Sequence, residues 1–212
     1  MPEGRRFDAH CRRCPRLAQF LDATRLAQPG YFCLPVPAFG DEKPRLLVVG
    51  LAPGLHGANR TGRPFTGDHA GLLLYRTLHA TGFASRAQSL SSDDQLRLPG
   101  ARITNAVKCV PPANKPTSSE IRECNGYLRH ELATLSSLRV IVALGRIAHD
   151  SVLSALDLVR RDFRFVHGAE HALDSTRILI SSYHCSRYNT QTRRLTEPMF
   201  RAIFERARVL LE

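Results

Sequence analysis

Four short runs of unbroken apolar residues, spaced along the chain with amphipathic stretches between them, limit what this sequence can fold into. Arg45 to Leu51 (RLLVVGL), Arg102 to Cys109 (RITNAVKC), Arg139 to Gly145 (RVIVALG) and Arg177 to Tyr183 (RILISSY) have the length of strands, and strands this apolar must be covered on both faces. Helical patterns fill the intervals. Ala70 to Thr81 carries Leu72, Leu73, Tyr75 and Leu78, and Thr117 to Leu135 carries Ile121, Cys124, Leu128, Leu132 and Leu135 at helical spacing. The second of these opens on Thr117-Ser118-Ser119-Glu120, a capping box directly after Pro116. Arg146 to Leu156 and Leu195 to Leu210 also read as helices. Strands alternating with helices specify a parallel sheet between two helical layers. The expected fold is α/β, a three-layer α/β/α sandwich on a four-stranded parallel sheet, with residues 1–212 as a single domain.

The first 44 residues form a basic, Pro-containing N-terminal segment. Met1 to Cys14 is polar with no apolar stretch, so no secretion signal is expected, and no apolar run approaches the roughly 18 residues of a membrane span. A cytoplasmic location, with thiols reduced, is the expectation. The net charge of +11 favours a polyanionic partner, nucleic acid first, although a coding bias alone could produce a chain with 3 Lys among 30 basic residues.

Cysteines then need a reason other than disulfides. Cys11 and Cys14 form a C-x-x-C pair and Cys109 and Cys124 a wider one, which together suggest a four-cysteine metal or cluster site. Their spacing does not separate zinc from an iron–sulfur cluster. Cys33 stands apart and reads as an ordinary buried thiol.

In open parallel sheets the ligand site lies beyond the carboxyl ends of the strands. Here those ends carry the residues least explained by packing. Gly50-Leu51-Ala52-Pro53-Gly54 leads into a long loop to Asp68, Asn105 lies inside the second strand, whose end is read at Lys108-Cys109, and His184-Cys185-Ser186 follows the fourth. Three distant segments are expected to meet at one crevice.

Read in order, the segments GLAPGLHGANRTGRPFTGD (50–68), TNAVKCVPPANKPTSSEIREC (104–124) and SYHCSRYNTQTRRLT (182–196), with the leading CRRC, resemble the type-5 uracil-DNA glycosylases. The resemblance runs from about Cys11 past Thr196. It implies a four-stranded parallel sheet between helices, and a structural [4Fe–4S] cluster on Cys11, Cys14, Cys109 and Cys124, with no catalytic metal. It also implies a DNA-repair enzyme that excises uracil and, in the family, larger deaminated bases such as hypoxanthine and xanthine as well. The substrate would be single- or double-stranded DNA carrying deaminated bases, and the expected enzyme is a monomer that does not bind membranes.

Such an enzyme must extrude the base from the stack, at a cost of a few kcal/mol. Phe65 matches the family's stacking aromatic. Asn105 has donor and acceptors on a short arm, suited to a base edge. His184 matches the family histidine and would stabilise negative charge on the departing base, as an oxyanion hole does. Asp68 is the carboxylate for the oxocarbenium-like sugar and for the attacking water, with a helix N-cap as its competing role. Gly50, Leu51 and Ala52 would line a roomy pocket, and Ser186, Arg187 and Asn189 belong to the loop that in the family presses into DNA. Where the family commonly has Pro, this chain has Cys185, which leaves the stiffness of that loop open. The catalytic set is therefore Asp68, His184 and Asn105.

Two rival readings remain. A non-catalytic nucleic-acid-binding module with a four-cysteine zinc site explains charge and cysteines but not the three segments together. A metal-dependent phosphohydrolase would need a carboxylate cluster, and Asp93-Asp94, the one adjacent aspartate pair, lies in a stretch that reads as a solvated loop. His167 and His171 suggest metal ligands, but no helical pattern places them on one face, and a loop is expected there.

Overall fold

The computed structural model describes residues 4–212; the first three residues of the expected N-terminal segment, and of the stretch read for a secretion signal, lie outside it. In chain order the strands are β1 (Phe39–Gly40), β2 (Leu46–Gly50), β3 (Ala101–Asn105), β4 (Val140–Leu144), β5 (Glu170–Ala172) and β6 (Ile178–Ser182). The helices are α1 (Pro15–Ala27), α2 (Ala58–Thr61), α3 (His69–Ala80), α4 (Ser118–Thr134), α5 (Arg146–Ala155), α6 (Arg187–Gln191) and α7 (Glu197–Val209). The sheet order is β1-β3-β2-β4-β6-β5.

Its four inner strands run parallel and are the four apolar runs, whereas β1 and β5 pair antiparallel at the two edges. The sheet thus has six strands where four were expected. The additions are two and three residues long, too short to carry a periodic signal, and they cover the edges of the parallel core. β5 also corrects the reading of residues 167–171 as loop alone, since Glu170 to Ala172 pairs with β6.

Alternation along each strand separates the two faces. Leu46 and Val48 pack with Val140, Val142 and Ile180 against Leu74, Tyr75 and Leu78 of α3 and Phe200, Ile203 and Phe204 of α7. Leu47 and Val49 pack with Ile141, Ala143 and Leu179 against Leu128 and Leu132 of α4 and Ala148, Val152 and Leu153 of α5. Three layers follow directly. Leu72, counted on the apolar face of α3, is 52% exposed instead.

The N-terminal segment contains α1, for which no helix was predicted. Only Leu17, Ala18, Leu21 and Thr24 of its 13 residues are buried, so periodicity was weak; Pro15 in the first turn is the start signal that the sequence does offer. Ion pairs fasten it to α4: Arg16 donates to both Glu120 oxygens, at 2.8 and 2.7 Å, and Arg5 donates to Glu123 at 2.9 Å. The capping box forms as expected, with the Glu120 side chain accepting from Thr117 N at 2.7 Å. Asp94 is not simply solvated. Its carboxylate accepts from the buried Arg63 guanidinium at 2.6 Å and from backbone N–H groups of its own loop, which anchors residues 89–96.

Candidate active site

β3 ends at Asn105, four residues earlier than Cys109, so Asn105 stands at the strand's carboxyl end and not inside it. The cause is a departure from register: Ala106 N donates to Gly50 O and Val107 N to Leu51 O, both at 2.9 Å, as the chain turns off the sheet. Gly50 and Asn105 are paired at the last rung of β2 and β3. A Cβ on Gly50 would run into Asn105 Oδ1 and the edge of the Phe65 ring, so glycine here is what lets amide and ring approach each other. Asn105 is 3% exposed and its Oδ1 has no hydrogen-bond partner. A buried acceptor left unpaired is costly in a fold and useful to a ligand that brings a donor.

Phe65 is 7% exposed and sits at φ +55°, a left-handed backbone that a bulky residue adopts only when its surroundings demand it. Its ring belongs to the core yet faces His184, with centroids 6.0 Å apart and planes 29° from parallel. Gly71 allows this turn, because any side chain there would strike the Phe65 carbonyl.

Asp68 fills both roles that the sequence offered. It is the N-cap of α3, its Oδ1 accepting from Gly71 N at 2.9 Å, while Oδ2 lies against Gly54 and Gly57. A Cβ on Gly57 would overlap the carboxylate, so both glycines make room for it. Burial raises the Asp68 pKa above the ordinary carboxylate value, opposed by hydrogen bonds from the Gly71 and Ala70 amides.

His184 follows β6 in a stretch without regular structure. Burial pushes its imidazole down to about 4, so the ring is neutral at pH 7, a donor on one nitrogen and an acceptor on the other. Cys185 is fully buried in the core with Leu195 and Phe200, so a packed side chain anchors the turn that a Pro would have stiffened.

These parts enclose one hollow of about 530 Å³, lined by Leu51, Ala52, Phe65, Asp68, His184, Ser186 and Arg187 among others. Gly50 and Asn105 do not line it; they lie against the edge of the Phe65 ring. Asn189 does not line the hollow: its side chain turns inward, Nδ2 donating to His184 O at 2.8 Å. Ser186 lines it and also caps α6, accepting from Asn189 N at 3.4 Å. His56, His69 and Asn114 contribute to the wall without having been singled out. Asn114 follows Ala113 in a pair of left-handed residues, at φ +56° and +53°. The Pro-Pro-Ala-Asn run before Lys115 was the sequence signal for that tight turn. Chemically, the hollow offers an aromatic face, a neutral imidazole and a buried carboxylate to one flat polar ring and whatever it is attached to, with the unpaired Asn105 oxygen buried beside the Phe65 edge.

The four cysteines meet in a separate hollow. Cys11, Cys14, Cys109 and Cys124 line a single smaller hollow with Arg5, Leu17, Lys108 and Tyr127, and Lys108 N donates to Cys124 Sγ at 3.2 Å. Burial pushes the Cys14 thiol up to about 11 and Cys124 to about 12, and raises Cys109 as well. Among the described residues no three His, Cys, Asp or Glu side chains form a group able to hold a metal ion. The four thiols therefore share a hollow without converging on one point. A donor set of four cysteines, two from the N-terminal segment and two flanking residues 110–123, still fits a polynuclear group, in which each sulfur meets a different metal atom. Lys108 itself is buried and neutralised by Glu131, at 2.7 Å. Cys33 is a buried thiol as expected, and no helix among the described residues is long and apolar enough to cross a membrane.

The model of the uracil DNA glycosylase superfamily matches residues 37–208. The chain is 48% identical over 205 residues to a type-5 uracil-DNA glycosylase of Thermus thermophilus, covering 94% of this chain and 93% of that protein. It is 42% identical over 208 residues to the Mycobacterium leprae protein of the same name, covering 94% and 91%. With that of Pyrobaculum aerophilum it shares 39% over 202 residues, covering 93% and 88%.

Proposed function

Since the chain belongs to the uracil DNA glycosylase superfamily, we propose that it hydrolyses the N-glycosidic bond of uracil in DNA, at the hollow between Phe65, Asp68 and His184. The observation that carries this is chemical pairing within one cavity. A neutral donor, His184, and a carboxylate, Asp68, line the same hollow, and breaking a base–sugar bond creates an anion on one fragment and a cation on the other.

The uracil ring stacks on Phe65, and its N3–H supplies the donor that Asn105 Oδ1 lacks. His184 donates to the base oxygen on which negative charge develops; as a neutral imidazole it does so without giving up a charge of its own. Burial raises the Asp68 pKa, while two amide hydrogen bonds at the start of α3 and the helix dipole there favour its charged form. From there it lowers the energy of the oxocarbenium-like sugar and orients the water that adds to it.

Substrates extend to hypoxanthine and xanthine in this reading. Leu51 and Ala52 put no large polar side chain into the wall, and the cavity of about 530 Å³ is generous for a pyrimidine. Cys11, Cys14, Cys109 and Cys124 hold a [4Fe–4S] cluster, which supplies structure by tying α1 to the turn after β3 and the first turns of α4.

The test is uracil-containing duplex incubated with protein in EDTA, then treated with alkali. Scission at the former uracil is expected, and inosine-containing duplex should be cut as well. A gel shift without scission would favour the binding module instead. Iron and acid-labile sulfide in the purified protein test the cluster, and zinc with no sulfide would refute it.

A further inference from the structure

The short helix α6 is engaged on its inner face at three points. Ser186 caps it, Asn189 Nδ2 donates to the backbone oxygen of His184 at 2.8 Å, and Thr190 Oγ1 pairs with His69 Nε2 at 3.0 Å. Arg187, Tyr188 and Gln191 remain exposed. The bond from Asn189 matters because of what His184 lacks. Its imidazole has no hydrogen-bond partner among the described residues, and its pKa is shifted by burial alone. Histidines that act at a fixed point usually have the second ring nitrogen held by a carbonyl or carboxylate. Here the ring is aimed only by Phe65 stacked at 6.0 Å, by the closeness of Gly145, and by the peptide that carries it. That peptide lies outside the sheet ladder. On its amino-terminal side Ser182 Oγ donates to Tyr183 O at 2.9 Å and Tyr183 N donates to His167 Nδ1 at 3.1 Å; on its carboxyl-terminal side the bond is the one from Asn189.

We propose that Asn189 is a positioning residue for His184, its amide fixing the peptide that aims the imidazole at the departing base. The proposal rests on the reading of His184 given above. It replaces a contact to DNA as the reason for Asn189, whose amide is spent on the protein. The second strut, Thr190 to His69, ties the same helix to the residue beside Asp68, so α6 links the two walls of the hollow.

Displacing a catalytic group by about 1 Å can cost on the order of 100-fold in rate. Asn189→Ala should therefore lower kcat on uracil duplex by roughly 10- to 100-fold and change KM by less than about twofold. Asn189→Asp keeps size and polarity but has no donor; it should fold and show the same loss, and it carries the test if the Ala variant is unstable. The deciding readout is a double-mutant cycle with His184→Ala, measured as single-turnover uracil release. If Asn189 acts through His184, the double variant is no slower than His184→Ala alone. If the losses multiply, or if Asn189→Asp is as active as the natural protein, the proposal is overturned. Should His184→Ala retain full activity, the reading of His184 fails and this proposal with it, a result distinct from multiplied losses beside an impaired His184→Ala.

Discussion

The hollow at Phe65 and Asp68 and the hollow at the four cysteines are built by opposite means. Around Phe65 and Asp68 the backbone does the shaping: a left-handed phenylalanine, a carboxylate serving as N-cap, and glycines at 50, 54, 57 and 71 that leave room for their neighbours. Around Cys11, Cys14, Cys109 and Cys124 it is side chains from remote parts of the chain that meet, fastened by Arg16–Glu120 and Arg5–Glu123. One region stores strain and unpaired polarity where a substrate can use them. The other holds four thiols that gain nothing until something binds them. Damage to the first should appear in rate and damage to the second in stability.

The largest effect that would break this contrast lies at the cysteines. Cys124→Ser should abolish iron binding and cost about 4 kcal/mol or more in stability, read by thermal or urea unfolding. An unaltered melting curve would mean that the second hollow has no structural role. Next comes His184→Ala, expected to slow uracil release by about 10²- to 10³-fold, some 2.7–4 kcal/mol, with little change in Tm. Phe65→Ala should cost about 1–3 kcal/mol in the same assay through lost stacking.

The smallest effect sharpens the comparison through pH. Asp68 must be ionised to act, and burial raises its pKa, so activity should be present at neutral pH and fall as pH drops through that raised value. Because the native state holds this proton more tightly than the unfolded chain does, the Asp68 charge costs stability at neutral pH. Asp68→Asn, which can still cap α3, should melt no lower than the natural protein while losing both activity and that acid limb. His184, neutral above about 4, should contribute no limb between pH 5 and 8. A limb that persists in Asp68→Asn would assign it elsewhere.

The sequence disclosed the layers because Leu46 to Val49 must be covered on both faces, and the cap at Asp68 because a carboxylate precedes a helical pattern. It offered cap and catalytic carboxylate as competing roles for Asp68; that one side chain can fill both depends on Gly54 and Gly57 making room for Oδ2. Asn105 was legible as a polar residue in an apolar run, but its place at the rim depends on Ala106 and Val107 leaving register. Asn189 was read as part of a DNA-facing loop because an amide's partner is invisible in one dimension. β1 escaped notice for want of length, and α1 because so few of its residues are buried that its periodicity is weak.

The central claim is that one nucleotide, swung out of the duplex, meets Phe65, Asn105, His184 and Asp68 together. The most direct measurement is a crystal structure of Asp68→Asn bound to duplex containing 2′-fluoro-2′-deoxyuridine, whose glycosidic bond resists cleavage. The account predicts the base on the Phe65 ring, its N3–H on Asn105, an oxygen within reach of His184, and the sugar beside residue 68. A base still stacked in the helix, or lodged in the separate hollow lined by Ser119, Asn125 and Arg160, would contradict it.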